Sequence, residues 1–399
     1  MEFEQKKIGD ICLSSCSGGT PKSTERSYYD GGTIPWLTTS EVNFKEIYDT
    51  ENKITELGLE KSSAKYIPIN SVIVAMYGVT AGRSAIAKIE LTTNQACCNL
   101  QINEEIAHFR FVYYYLMMQS DQLNKLANGG AQQNLNSLII KKFKIILPEL
   151  LTQKKISQVL SNYDLLIENN NKRIKLLEKM AQELYKEWFV RFRFPGYEKT
   201  CFVDGIPECW KYVNLFEIGN VIYGFPFDSS KFCDDDSLNP VVRIRDIPGN
   251  NTFTYTSEVC DSKYIIKKND ILVGMDGIFH MCLWNGEYAL LNQRVVKINS
   301  KKKDFSELLL YLSIYDQIKF WEATLCGTTV SHLGDKHLKR MKVLLPPKEV
   351  RVKTNNIFTN IMNEKANLLA KNKKLIKQRD SLLPRLMSGK VNLEDKEVI

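Results

Sequence analysis

From Ile156 to Trp188 apolar residues such as Leu160, Tyr163, Ile167, Ile174, Leu177 and Leu184 recur at three- and four-residue steps, and no Pro or Gly interrupts Leu151–Arg193. That spacing is the stripe of a long amphipathic helix. At 1.5 Å per residue, some forty residues would run to about 60 Å. A second such stretch closes the chain, from Val350 to about Leu386. Each follows a similar lead-in, GGAQQNLNSLIIKKFKIILP ending at Pro148 and GTTVSHLGDKHLKRMKVLLP ending at Pro346. The two align without a gap at an offset of 198, with Leu135 opposite Leu333, Ile140 opposite Leu338, Phe143 opposite Met341 and Ile145 opposite Val343.

The repetition continues upstream. NSVIVAMYG (Asn70–Gly78) matches NDILVGMDG (Asn269–Gly277) at an offset of 199, and Asn94-Gln95 matches Asn292-Gln293 at 198. FRFVYYYLMMQSDQLNKLA (Phe109–Ala127) falls opposite ELLLYLSIYDQIKFWEATL (Glu307–Leu325), and IPWLTTSEV (Ile34–Val42) opposite NPVVRIRDI (Asn239–Ile247). An internal repeat this long governs the fold. The β-branched runs ending in turn glycines read as strands, and Phe109–Ala127 as a helix whose Tyr113, Tyr114 and Tyr115 belong to a core. The architecture expected is α+β: a pseudo-two-fold internal repeat of two tandem mixed α/β domains, separated and joined by two long antiparallel coiled-coil helices. Its boundaries fall at 1–149, 150–193, 194–347 and 348–390, with the first globular unit followed by the central helix and the second by the C-terminal one. The tail beyond Leu386 is polar and expected to fray.

Composition narrows the function. The 399 residues are 44% hydrophobic and 25% charged, as in ordinary globular proteins. No apolar run is long enough to span a membrane and the N-terminus has no signal-peptide pattern, so cytoplasm is the expected location. Ten cysteines without a CxxC pair and four histidines give no zinc pattern and read as reduced thiols. No Walker A motif, methyltransferase [DNS]PP[YFW] motif, FxGxG or PD…ExK cluster is present, so neither catalysis nor a cofactor is expected. The net charge of +8 suits a polyanionic partner, and the Gly-rich loop SGGTPKST could approach phosphate through its backbone. A twofold repeat also suits the approximate symmetry of duplex DNA. A solvated helix face and an ordinary surface loop account equally well for the charge and the glycines.

The segments SGGTPKST…YYDGGTIPWL, QNLNSLIIKKFKIILP…QKKI and LLPRLMSGKV, in that order and within a duplicated chain, resemble the specificity subunit of type I restriction–modification systems. The resemblance implies two target-recognition domains, each reading one half of a bipartite sequence in double-stranded DNA. It also implies helices that set the gap and dock two modification (methyltransferase) subunits, with restriction subunits joining through the complex. Such a subunit is not itself catalytic. The alternative is a helical scaffold or adaptor that reads no DNA.

Where the copies differ at matched positions, different bases could be read: Thr38 opposite Arg243, Ser40 opposite Arg245, Tyr77 opposite Asp276, Ala96 opposite Arg294. The equivalent loops add Gln132, Gln133, Ser331 and His332. Thr20, Lys22, Arg83 and Lys336 are further contacts, with Lys141 and Arg340, the basic ones positioning through phosphate. Matched Asn94-Gln95 and Asn292-Gln293 suit either turn formation or adenine contact.

Overall fold

A computed structural model describes residues 3–128, 135–286, 288–325 and 331–391. The chain divides into two compact units. The first holds Met1–Glu168 together with Asn372–Ile399, and the second holds Asn169–Lys371. Both long helices form as their apolar stripes require. The central helix spans Leu150–Tyr185 and continues through a π turn at Lys186–Val190. The C-terminal helix spans Lys348–Met387. Each is shared between the two units, so each unit contains a segment of both.

The strands of the first unit make a five-stranded sheet in the order Cys12–Ser17, Cys97–Ile102, Val72–Ala75, Ser84–Ala87, Lys45–Ile47. A four-stranded sheet follows the order Asn52–Ile54, Ile34–Leu37, Leu91–Thr93, Tyr66–Ile67. The second unit repeats this. Its first sheet runs Gly219–Tyr223, Val295–Ser300, Ile271–Gly274, Met281–Leu283, and its second Tyr255–Thr256, Asn239–Val242, Tyr288–Leu291, Ile265–Lys267. The parallel pairing recurs too, with Trp36 beside Thr92 in one unit and Val241 beside Leu290 in the other. Strand Lys45–Ile47, parallel to Ser84–Ala87, has no strand counterpart among the described residues of the second unit.

Matched positions also fill the cores. Phe111, Val112 and Tyr114 are buried in the first unit, as are Leu309, Leu310 and Leu312 in the second. Tyr113 and Tyr115 are buried as expected of core residues. The helix expected through Ala127 breaks at Gln119 into Phe109–Met118 and Ser120–Asn128, whereas its counterpart Glu307–Leu325 is continuous. The expected fraying beyond Leu386 is corrected as far as the structure describes the tail. Met387 is buried in the first unit's core and Val391 packs against it, since an apolar side chain with a core to enter does not stay in solvent.

Within the first unit Asp164 of the central helix receives Arg379 Nη1 at 2.6 Å and the Tyr114 hydroxyl at 2.5 Å. Within the second unit Arg173 meets Glu364 at 2.8 Å and Lys365 meets Glu178 at 2.7 Å. In each unit these pairs join the central helix to the C-terminal helix.

Each helix start is fastened to its own sheet domain by the same position with different chemistry. In the first unit the buried Gln153 amide donates to the Pro148 carbonyl at 2.8 Å and accepts from the His108 backbone N–H at 2.9 Å. In the second, Arg351 donates to the Pro346 carbonyl at 2.9 Å and to Asp304 at 2.7 Å. His108 Nδ1 also lies 3.0 Å from the Ser157 hydroxyl. Burial, then the positive charges of Arg110 and Lys154, push the His108 imidazole down to about 4. The unfolded chain therefore binds a proton between pH 6.5 and 4 that the folded one refuses, and stability rises with pH across that window. Urea midpoints of the first unit should fall as pH drops from about 6.5 towards 4, and His108→Asn should flatten the dependence. A slope unchanged by that substitution would remove His108 as its cause.

Candidate nucleic-acid interface

Hairpin tips and short turns bring most of the sequence-nominated residues to neighbouring places. In the first unit strand Ile34–Leu37 leads into a single 3-10 turn, Thr39–Glu41, with Thr38 at its N-cap. Glu41, buried, closes the turn by accepting from the Thr38 backbone N–H, and Thr38 Oγ1 lies 2.7 Å from Ser40 Oγ. In the second unit Arg243 caps the turn Ile244–Asp246, and Asp246 accepts from its backbone N–H at 2.9 Å. The matched turns confirm that Thr38 stands opposite Arg243 and Ser40 opposite Arg245.

Arg243, like Thr38, is engaged by its own domain, and by groups farther along the chain. Its guanidinium donates to the Thr254 hydroxyl, lies 3.7 Å from Asp246 and sits over the Phe232 ring. Burial lowers its pKa, against the pull of Asp246. A guanidinium so committed must exchange partners to reach a base, whereas Arg245 beside it is exposed.

The hairpin between Val72–Ala75 and Ser84–Ala87 carries Tyr77 at its tip, 38% exposed. Thr80 of that tip donates its hydroxyl to the Thr39 carbonyl at 2.8 Å, joining it to the Thr38–Ser40 turn. Arg83 donates to Asn43 at 2.9 Å. In the second unit the corresponding tip carries Asp276, which gathers two other nominated residues. His332 Nδ1 lies 2.6 Å from one carboxylate oxygen and Arg294 Nε 3.5 Å from the other. Ser331 accepts from the Gly277 backbone N–H at 3.0 Å, closing the group. Lys336 is exposed nearby. Burial first, then the nearby Lys336, Arg340 and His332, depress the His337 pKa.

Thr20 and Lys22 are exposed on the Gly-rich loop, Lys22 being 3.8 Å from Glu25. The glycines before them have a packing role. A Cβ on Gly18 would collide with the carbonyl oxygens of Thr93 and Asn94, and one on Gly224 with that of Asn292. In both units glycine admits the Asn-Gln turn to the loop backbone, which supersedes the reading of this glycine as a phosphate cradle. Gln132 and Gln133 lie outside the described residues.

The Asn-Gln pairs prove to be turn elements with an unfilled remainder. Cys97 N–H donates to the Asn94 carbonyl and Val295 N–H to that of Asn292, each at 3.2 Å. The side-chain oxygens of both Asn94 and Asn292 are buried with no hydrogen-bond partner among the described residues. Gln95 and Gln293 are exposed at the turn tips. No group of three or more His, Cys, Asp or Glu side chains suited to a metal occurs among the described residues, and no helix among them is long and apolar enough to cross a membrane.

The selection by divergence overlooked one feature of the hairpin tips. Val79 is 94% and Ile278 58% exposed, each directly after the tip glycine. Their signal was present in the 199-residue offset that aligns Tyr77 with Asp276, but that comparison sought differences, and these two positions agree.

Residues 1–179 and 207–378 both match the family model for the type I restriction modification DNA specificity domain. Over 417 aligned residues the chain is 26% identical to the type I restriction enzyme MjaIX specificity subunit of Methanocaldococcus jannaschii, covering 99% of this chain and 94% of that one. It is 31% identical over 198 residues to the EcoBI specificity subunit of Escherichia coli, covering 49% of this chain and 42% of that one. The fold is similar to the crystal structure of the type I restriction–modification S subunit from M. genitalium, with a TM-score of 0.55 and 15% identity over 97% of this chain and 96% of that one.

Proposed function

Because the chain belongs to the type I restriction modification DNA specificity family, we propose that it reads a split sequence in double-stranded DNA for a restriction–modification complex. Each unit reads one half. One observation carries this reading: two units of matching sheet order present chemically different residues at matched tips, Thr38 against Arg243 and Tyr77 against Asp276. A scaffold repeated for its shape alone has no need for that divergence. Arg294 is suited to guanine O6 and N7, and Asp276 holds its guanidinium while leaving it 59% exposed. Arg83, Lys22 and Lys336 position the backbone through phosphate. The long helices set the unread gap and dock two modification subunits, through which restriction subunits join. The chain itself performs recognition and no bond chemistry. The adaptor alternative has no observation in its favour.

Methylated positions mapped across the genome of cells expressing this chain with its modification subunit should reveal a two-part motif with an unread gap. Arg294→Ala should relax one half by about 1–3 kcal/mol, roughly ten- to a hundredfold in preference, and leave the other half unchanged. A contiguous motif, or equal loss in both halves, would refute the assignment.

A further inference from the structure

We propose that Val79 and Ile278 are apolar wedges that press into the base stack of duplex DNA, one in each half of the target. This rests on the reading of the hairpin tips as DNA contacts and adds a task that reads no sequence. An isolated exposed aliphatic residue is ordinary on a protein surface. These two are set apart by repetition and by place. Tyr77-Gly78-Val79 and Asp276-Gly277-Ile278 occupy the same hairpin tip in the two units. The residue before the glycine has changed character, and the residue after it has stayed aliphatic.

The turn is built for presentation. Gly78 and Gly277 have φ of +76° and +69°, and a Cβ on either would meet nothing within 4 Å. Glycine is therefore required by the left-handed turn and not by packing. Behind the tips the supports are firm. Met76 N–H donates to the Ala96 carbonyl at 2.8 Å, and Met275 N–H to the Arg294 carbonyl at 2.9 Å. Thr80 is tied to Thr39, and Phe279, fully buried, donates its backbone N–H to Glu322 at 2.7 Å. A side chain held out on an anchored tip loses little freedom on entering a partner.

The surroundings select DNA as that partner. Each aliphatic side chain stands among polar and charged groups: Tyr77 and Arg83 in the first unit, and Asp276 with its partners Arg294 and His332 in the second. A protein interface is centred on a cluster of large apolar anchors. One aliphatic residue among polar and charged groups suits a duplex, whose apolar surface is its stacked bases. Residues that read sequence must differ between two half-sites, whereas a residue that wedges a base step can be the same in both. Such wedges unstack a step and kink the duplex by about 20–90°.

The test uses the full chain complexed with its modification subunit, on a duplex carrying the mapped target. 2-Aminopurine replaces bases flanking the methylated positions, and end-to-end energy transfer reports bending. The parent should unstack one step in each half. Val79→Ser should abolish the signal in the first half only, Ile278→Ser in the second only, and each should remove about half of the bend. Val79→Ile and Ile278→Val should retain both signals. Target binding by the serine variants with unstacking and bending unchanged would overturn the wedge while leaving the recognition reading intact. Loss of the modification subunit with DNA signals preserved would make the tips a protein contact and overturn it as well. A parent complex that ignores the target duplex would refute the recognition reading, and the wedge with it.

Discussion

Deleting Leu382–Ile399 should unfold the first unit, although the deleted residues are more than two hundred positions from its sheets in sequence. Leu383, Leu386 and Met387 are 4%, 1% and 5% exposed and belong to the same core as Ile8, Val74, Phe111 and Leu160. Removing one buried Leu or Met side chain typically costs about 2–5 kcal/mol through lost burial and the cavity left behind. Three together reach roughly 6–15 kcal/mol, the whole stability of a typical domain. Amide exchange within Val72–Leu116 should lose its protection. The second unit's core, built on Leu309, Phe279 and Phe358, contains none of the deleted residues and should keep its protection. Single substitutions Leu383→Ala and Leu386→Ala should lower stability by about 2–5 kcal/mol each. Full protection of Val72–Leu116 in the truncated chain would show that the C-terminal turns are dispensable to this core.

Arg379→Ala should be the most damaging single charge removal in the first unit. The Arg379 side chain is 11% exposed and the Asp164 side chain 31%. Breaking a buried pair by removing one partner costs about 3–5 kcal/mol, because the remaining charge loses its compensation. Water reaches Asp164 partly, so about 2–3 kcal/mol is expected, a fall in Tm of roughly 5–10 °C. The Tyr114 hydroxyl still donates to Asp164, but one neutral hydrogen bond does not replace a guanidinium. The double variant Asp164→Asn with Arg379→Met should recover most of the loss, since no buried charge is left unpaired and the amide oxygen still accepts from the Tyr114 hydroxyl. Equal melting of Arg379→Ala and the parent would place this pair among surface ion pairs of little value. A double variant no better than the single one would assign the loss to the packing of the Arg379 stem.

The repeat was legible because packing imposes the same demand at the same spacing. Ile145 and Val343 are both buried, as are Ile73 and Leu272, so the 198- and 199-residue offsets survive even where the residues differ. The two long helices were legible for the same reason, from an uninterrupted stripe. The break at Gln119 was not, because the sequence Phe109–Ala127 carries no Pro or Gly to mark it. At the candidate interface, position could be read and engagement could not. Arg243 and Arg245 are both arginines two residues apart, yet one turns in to Thr254 and Asp246 and the other faces solvent.

By itself, then, the sequence determined that the chain is a duplicated α+β unit with two amphipathic helices, and which tips differ between the copies. Periodicity and offset are one-dimensional properties that burial writes directly into the residues. Only the tertiary structure decided that Leu383 and Leu386 complete the core of the first unit, and that Asp276 gathers Arg294 and His332. An apolar stripe specifies that a face is buried and not what buries it, and a charge specifies no partner until the chain has closed around it.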